Sequence, residues 1–271
     1  VAISIIKKPI VQQIYPNLNY SHPFLANLEL GLVASRAGTI KAAVKPPYNW
    51  STKTSVQSGT ISGVGEKFSG SSGYVTSTTV AGTAPWTIIF YGLITASGQS
   101  AIAGTAEFAG AGTHDRSLYI NTSNKLASYI FDGSAKEPAT SGSVPVGTPF
   151  MGAAVATGSQ IITWLNSEKA SLAASNTGFN SYATPTFVIG YGDAGSSVQN
   201  ASSNAIAYYV LKLNRAIRDS EWLSLIQNPW QIFLQTYSYV PASAVTPPVT
   251  TIYEFQSFSR GVGRGIARGI A

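Results

Sequence analysis

The sequence contains no cysteine, which removes disulfides, zinc–thiolate sites and thiol catalysis together. Stability must therefore come from packing and strand pairing. Charge is scarce as well: Asp, Glu, Lys and Arg make up 10% of the 271 residues, against about 25% in an average soluble domain. The surface must rely on hydroxyls and amides. No stretch reaches the roughly 18 uncharged apolar residues of a membrane helix, so membrane insertion is not expected. Only His22 and His114 are present as histidine bases. Val1 to Pro16 carries Lys7 and Lys8 but no apolar run of signal-peptide length, and Val1 suggests a trimmed initiator methionine. An exterior-type surface with no visible export route fits a virus particle, so the virion is the expected location.

What charge there is leans positive, with a formal net of +6. Beyond Pro241, Arg260, Arg264 and Arg268 stand against Glu254, a net of +2, which leaves +4 spread over the first 240 residues. No basic cluster with interleaved aromatics occurs in that body, so nucleic acid is not an expected partner.

From Gly31 to Leu213 the chain is a succession of short apolar or alternating runs rich in β-branched and aromatic residues, broken by Gly, Ser, Thr, Asn and Pro. This pattern predicts an all-β protein. The clearest strands are Trp86 to Ile94, Ser117 to Ile120, Leu126 to Phe131, Phe150 to Val155, Gln160 to Leu165, Thr186 to Tyr191 and Ala205 to Leu213, with shorter ones at Lys67 to Phe68 and Tyr74 to Val75. In Trp86 to Ile94 both alternating faces are apolar, which predicts a central strand buried on two sides. Gln160 to Leu165 and Lys169 to Leu172, joined by Asn166, Ser167 and Glu168, read as a hairpin. One helix is predicted: Asp219 and Glu221 favour its first turn, Trp222, Leu225 and Ile226 give an apolar face, and Asn228-Pro229 stops it. It is expected to pack against the sandwich edge.

The order of these pieces resembles the laminin G-like branch of the concanavalin A-like lectin/glucanase superfamily, particularly domains of bacteriophage tail, fibre and other virion proteins. His22-Pro23 through Leu30-Gly31-Leu32-Val33 resembles the family's opening strand, and Gly65 to Gly70 followed by Tyr74-Val75 its early strand pair. Leu118 to Asn121 with Leu126 to Phe131 resembles the next hairpin, and Ile161 to Asn166 the strand that ends in an Asn turn. The most specific piece runs from Ala205 to Val210 through Asn214 to Trp222 and ends in Asn228-Pro229-Trp230-Gln231-Ile232-Phe233. One departure is Arg218, where family members often carry Ser or Thr before the helix.

The resemblance implies an antiparallel β-sandwich, or jelly roll, over 22–240, preceded by a lead-in at 1–21. Related sandwiches serve as lectins, glycosidases, modules of other enzymes and inert structural parts, so chemistry must be argued from residues. A glycosidase needs two carboxylates flanking one bond. Of the eleven acids only Asp219 and Glu221 lie two apart, in the predicted helix, where they complement its dipole. His114-Asp115 on an extended chain would point to opposite faces, and a polar loop is the simpler expectation there. The chain is therefore not expected to be an enzyme. Family members often hold calcium at a loop rim, for which Asp132 and Asp193 are the candidate ligands, but both serve equally well as turn residues and no resident cofactor is otherwise expected. Sugar recognition needs aromatic platforms flanked by amides and carboxylates, for which Tyr48, Asn49, Trp50, Asn166, Tyr191 and Asp193 supply the chemistry. Trp86, Trp164, Trp222 and Trp230 are expected in the core.

Residues 241–249 form a Pro-rich linker, with Pro241, Pro247 and Pro248. The segment 250–271 ends in a four-residue repeat: Arg260, Arg264 and Arg268 each precede a glycine, and Val262, Ile266 and Ile270 follow. As a helix it would stack the arginines, at a cost of about 1 kcal/mol per glycine. As an extended arm it would put arginines and apolar residues on one face and only Gly or Ala on the other. An arm that orders on a neighbouring subunit is the preferred expectation, with a disordered tail as the alternative. The partners so implied are other virion proteins, further copies of the chain and a host surface glycan. The component would be a fibre, tail-tip or capsid decoration protein, with a carbohydrate-binding module outside any virion as the alternative and a glycoside hydrolase behind it.

Overall fold

The computed structural model describes residues 18–33, 41–44, 50–52, 57–58, 66–67, 74–76, 85–106, 114–131, 134–174, 186–190 and 204–233. The chain divides into two units, Val1–Thr236 and Tyr237–Ala271, and every described residue belongs to the first.

After a single 3-10 turn at Pro23–Leu25, strands follow in order: β1 (Leu28–Val33), β2 (Lys41–Val44), β3 (Trp50–Thr52), β4 (Gln57–Ser58), β5 (Glu66–Lys67) and β6 (Tyr74–Thr76). Then come β7 (Trp86–Ile94), β8 (Ser100–Ala106), β9 (His114–Ile120), β10 (Lys125–Phe131), β11 (Ala135–Lys136) and β12 (Ala139–Ser143). The last are β13 (Phe150–Ala156), β14 (Gln160–Leu165), β15 (Glu168–Ala173), β16 (Thr186–Ile189) and β17 (Ala205–Leu213), followed by one helix, α1 (Asp219–Gln227). They make two antiparallel sheets. A nine-stranded sheet runs β15-β14-β13-β7-β17-β1-β2, with β5 and β4 beside β17. An eight-stranded sheet runs β11-β10-β9-β8-β16-β6-β3, with β12 on β10. The protein is thus an antiparallel β-sandwich with one short helix.

The predicted central strand is β7, paired on one side with β13 and on the other with β17. Its inward residues Trp86, Ile88, Phe90 and Ile94 enter a core shared with Leu118 and Ile120 of β9, Leu126 and Ile130 of β10, and Phe187 of β16. Phe90 and Phe150 meet there with ring centroids 5.2 Å apart. At Gly92 a side chain would strike the Ile206 carbonyl oxygen and the Phe90 ring, so only glycine lets β7 and β17 approach so closely. One polar tie crosses this core. Ser128 of β10 and Thr163 of β14 share a hydroxyl–hydroxyl hydrogen bond, and Thr163 also donates to Pro138 O at 2.6 Å.

The outer face of the nine-stranded sheet is apolar too: Ile89, Met151, Val155, Trp164, Leu211 and Leu213 lie there. It is covered by Leu18, Phe24 and Leu25 from before β1 and by Ile217, Trp222, Leu225, Ile232 and Phe233 from after β17. The helix lies over this face rather than at the sandwich edge, because Trp222 and Leu225 need an apolar floor and the face provides one. Thr87 holds the approach to the helix, donating to Arg215 O at 2.7 Å and accepting from Ile217 N at 3.2 Å. Arg218 has no hydroxyl to cap the helix. The carboxylate of Glu221 supplies the reciprocal half of a capping box instead, accepting from Arg218 N at 2.8 Å.

Three local expectations are corrected. Glu168 belongs to β15, opposite Leu165, so the hairpin turn is only Asn166 and Ser167. A two-residue turn keeps the strand twist when its first residue is left-handed, and Asn166 has φ 50°. β5 and β6 do not pair: β5 joins β17 and β4 in one sheet, whereas β6 joins β16 and β3 in the other. Runs of two or three residues carry no register information. His114 and Asp115 open β9 rather than forming a loop.

Candidate functional site

Of the residues singled out for sugar or calcium, Tyr48, Asn49, Asp132, Tyr191 and Asp193 lie outside the described residues, as do Arg260, Val262, Arg264, Ile266, Arg268 and Ile270. Trp50 opens β3. Asn166 is exposed at the β14–β15 turn, but its side chain is already engaged, with Oδ1 accepting from Met151 N at 3.0 Å. Its carbonyl accepts from Trp222 Nε1 at 2.7 Å, which anchors the helix to the turn. Both groups serve the fold.

The adjacent acids of the helix are held by separate partners. Asp219 pairs with Lys169 at 2.7 Å, and Glu221 with Arg215 at 3.0 Å and Arg218 at 3.3 Å. Burial alone would raise the Glu221 carboxyl, but the hydrogen bonds from Arg215 and Arg218 outweigh it and hold the pKa below the ordinary value. Glu168 is held low mainly by the Ser141 hydroxyl, which donates at 2.6 Å, with the Ser141 and Gly142 amides adding to it. This carboxylate clasps β15 to β12, and so one sheet to the other. Glu29 and Lys212 form a buried ion pair, with Asn214 Oδ1 3.1 Å from the ammonium. Among the described residues, no three His, Asp or Glu side chains converge as metal ligands.

Among the described residues, an aromatic cluster at one end of the outer face also keeps polar groups without protein partners. β17 alternates until Ala207, where a bulge falls between Ala207 and Tyr209 in its pairing with β7. Ala205, Ala207 and Val210 point inward, while Tyr208 and Tyr209 both end up on the outer side. Tyr91 of β7 meets them at ring-centroid distances of 5.1 and 5.5 Å. The Asn228-Pro229-Trp230 ending closes the group. Asn228 Oδ1 accepts from Trp230 N at 3.3 Å and Tyr209 donates to Pro229 O at 2.9 Å, which turns the chain back after the helix. Trp230 thereby stands edge-on to Tyr91, with centroids 5.5 Å apart and planes at 78°.

Tyr209 is fully buried, but Tyr91 and Trp230 are half-buried and Tyr208 is 7% exposed. Among the described residues, the hydroxyls of Tyr91 and Tyr208 and the Trp230 indole N–H form no hydrogen bond. Desolvation raises the pKa of both phenols, so they stay neutral donors and acceptors. The sequence pattern placed Trp230 in the core and left Tyr91 and Tyr208 unmarked as site residues. The signal for Tyr208 and Trp230 was the density of rings in Ala205 to Phe233, while Tyr91, in β7, carried none.

No protein-family model matches the chain, and no curated relative does. Solved structures share its fold. A Trypanosoma rangeli sialidase in complex with sialic acid aligns at 18% identity and a TM-score of 0.55, over 76% of this chain and 34% of that one. The binding domain of botulinum neurotoxin DC in complex with SialylT aligns at 11% identity and a TM-score of 0.56, over 77% of this chain and 52% of that one. That of serotype C1 aligns at 14% and 0.55, over 77% and 53%. The chain thus spans about a third to a half of the length of these proteins. The likeness is one of fold, a lectin-like β-sandwich, found in an enzyme and in binding domains alike.

Proposed function

We propose that this chain is a non-catalytic structural component of a bacteriophage virion. Its sandwich, of the laminin G-like kind, is displayed, and residues 250–271 fasten it to neighbouring copies and other virion proteins. The observation that carries this reading is that the sandwich closes within Leu18 to Phe233. An antiparallel bridge joins those two residues, and among the described residues both core layers of the nine-stranded sheet are built from elements between them. The Pro-rich and Arg-repeat segments lie outside the described residues, and their composition is what assigns them to assembly. Deleting 250–271 should leave a folded sandwich, by thermal melting, that no longer enters particles. Normal incorporation of the truncated chain would overturn the assembly role.

A second role, adhesion to a host glycan, is favoured by the half-buried ring cluster with its unused hydrogen-bonding groups. The carboxylates of Asp219, Glu221 and Glu168 are each committed to cations or amides, which supports holding a glycan over cleaving one.

A further inference from the structure

Resting on that adhesion role, we infer that Tyr91, Tyr208 and Trp230 form the seat for an uncharged sugar ring. The seat combines two things that a pyranose presents together: a face of C–H bonds and a rim of hydroxyls. The half-buried rings of Tyr91 and Trp230 offer apolar surface to the first, with Tyr208, 7% exposed, packed beside them. The two phenol hydroxyls, each able to donate and accept, and the indole N–H suit the second.

A purely apolar partner, such as a Leu-rich peptide, would bury those three polar groups without partners. Each such loss costs about 1–3 kcal/mol. Tyr91, Tyr208 and Trp230 carry no formal charge, so the cluster itself supplies no cation to an anionic sugar. The uncharged ring is what the cluster fits.

The seat is also set in advance. The bulge in β17 fixes Tyr208, its register opposite β7 fixes Tyr91, and the Asn228 turn fixes Trp230, with Tyr209 and Phe233 packed behind at 6.1 and 5.4 Å from the Trp230 ring. Rings held this way lose little freedom when a ligand lands, which is why Tyr and Trp serve as anchors at binding surfaces.

The test uses the full chain with lactose, maltotriose and chitotriose as uncharged probes and 3′-sialyllactose as the charged counterpart of lactose. Affinities come from calorimetry, and the indole N–H resonances are followed by NMR. At least one uncharged probe should bind and shift the Trp230 signal, assigned through Trp230→Phe. Trp230→Ala should weaken binding at least about tenfold. Tyr91→Phe combined with Tyr208→Phe, which keeps the rings and removes only the hydroxyls, should weaken it about three- to tenfold at unchanged melting temperature. The sialyl extension should alter affinity less than about threefold.

Binding that is unchanged in these variants would place the sugar elsewhere and overturn this seat while leaving adhesion standing. Binding that requires the sialyl group would overturn the uncharged class. If the wild-type chain takes up none of the probes and its Trp230 signal does not move, the seat and the adhesion role fall together.

Discussion

The nine-stranded sheet is buried on both faces, but by different means. Its inner face meets another sheet across an aliphatic and Phe-rich layer, in which the Ser128–Thr163 contact is a polar tie between the sheets. Its outer face is roofed by the lead-in around Pro23–Leu25 and by the stretch from Asn214 to Phe233, pinned by individual hydrogen bonds at Thr87, Asn166 and Glu221. Both layers bury apolar area, and the outer one adds hydrogen bonds from individual groups. At Tyr91 and Trp230 the roof ends and leaves two rings partly exposed beside the more deeply set Tyr208, so that is where chemistry is left over for a partner.

Removing one large side chain from each layer tells the two apart. Phe90→Ala should cost about 3–5 kcal/mol and lower the melting temperature of the whole sandwich in one transition. Trp222→Ala should cost a similar amount, but hydrogen exchange should show amides of 214–233 losing protection ahead of β7 and β13. Simultaneous loss everywhere would mean that the two layers are one cooperative unit.

A smaller effect is expected from Glu221→Gln, about 1.5 kcal/mol at neutral pH by urea denaturation. Because the folded carboxyl titrates below its ordinary value of 4.5, its contribution is complete above that value and is lost as pH falls through the folded pKa. The gap between wild type and variant should therefore close in acid. A gap that stays constant would remove the carboxylate from the account of helix anchoring. Smallest of all, Arg218→Ser supplies the missing hydroxyl cap and gives up only the contact of a side chain that is 80% exposed. A gain of about 0.5–1 kcal/mol in the same assay is expected.

The sequence made the layers more legible than the site. β7 declares itself, since Trp86, Ile88 and Phe90 alternate with Ile89, Tyr91 and Leu93, a pattern only a doubly buried strand needs. The helix is equally plain from Asp219, Trp222 and Leu225. The bulge in β17 left no mark, because no glycine or proline stands in Ala205 to Leu213, its one charge, Lys212, falls well past the bulge, and the extra residue is fixed by register against β7. Without it, Tyr208 and Tyr209 belong on opposite faces, and the cluster cannot be foreseen. Trp230 reads as core for a related reason: hydropathy counts its ring but not the turn at Asn228 that sets it at the margin. Of the sugar candidates the sequence offered, Asn166 proves to be a turn residue whose amide oxygen is already taken.

The bridge between Leu18 and Phe233, reinforced by Asn19 N donating to Ile232 O at 2.8 Å, has a mechanical consequence. In an antiparallel pair the incoming and outgoing backbones leave from the same end, so tension applied through both flanks opens the contacts one after another, as a zipper opens, rather than shearing them together. The roof over the outer face, with Phe233 and Ile232 in it, would be the first part to yield. A sandwich hung from one flank carries no such load.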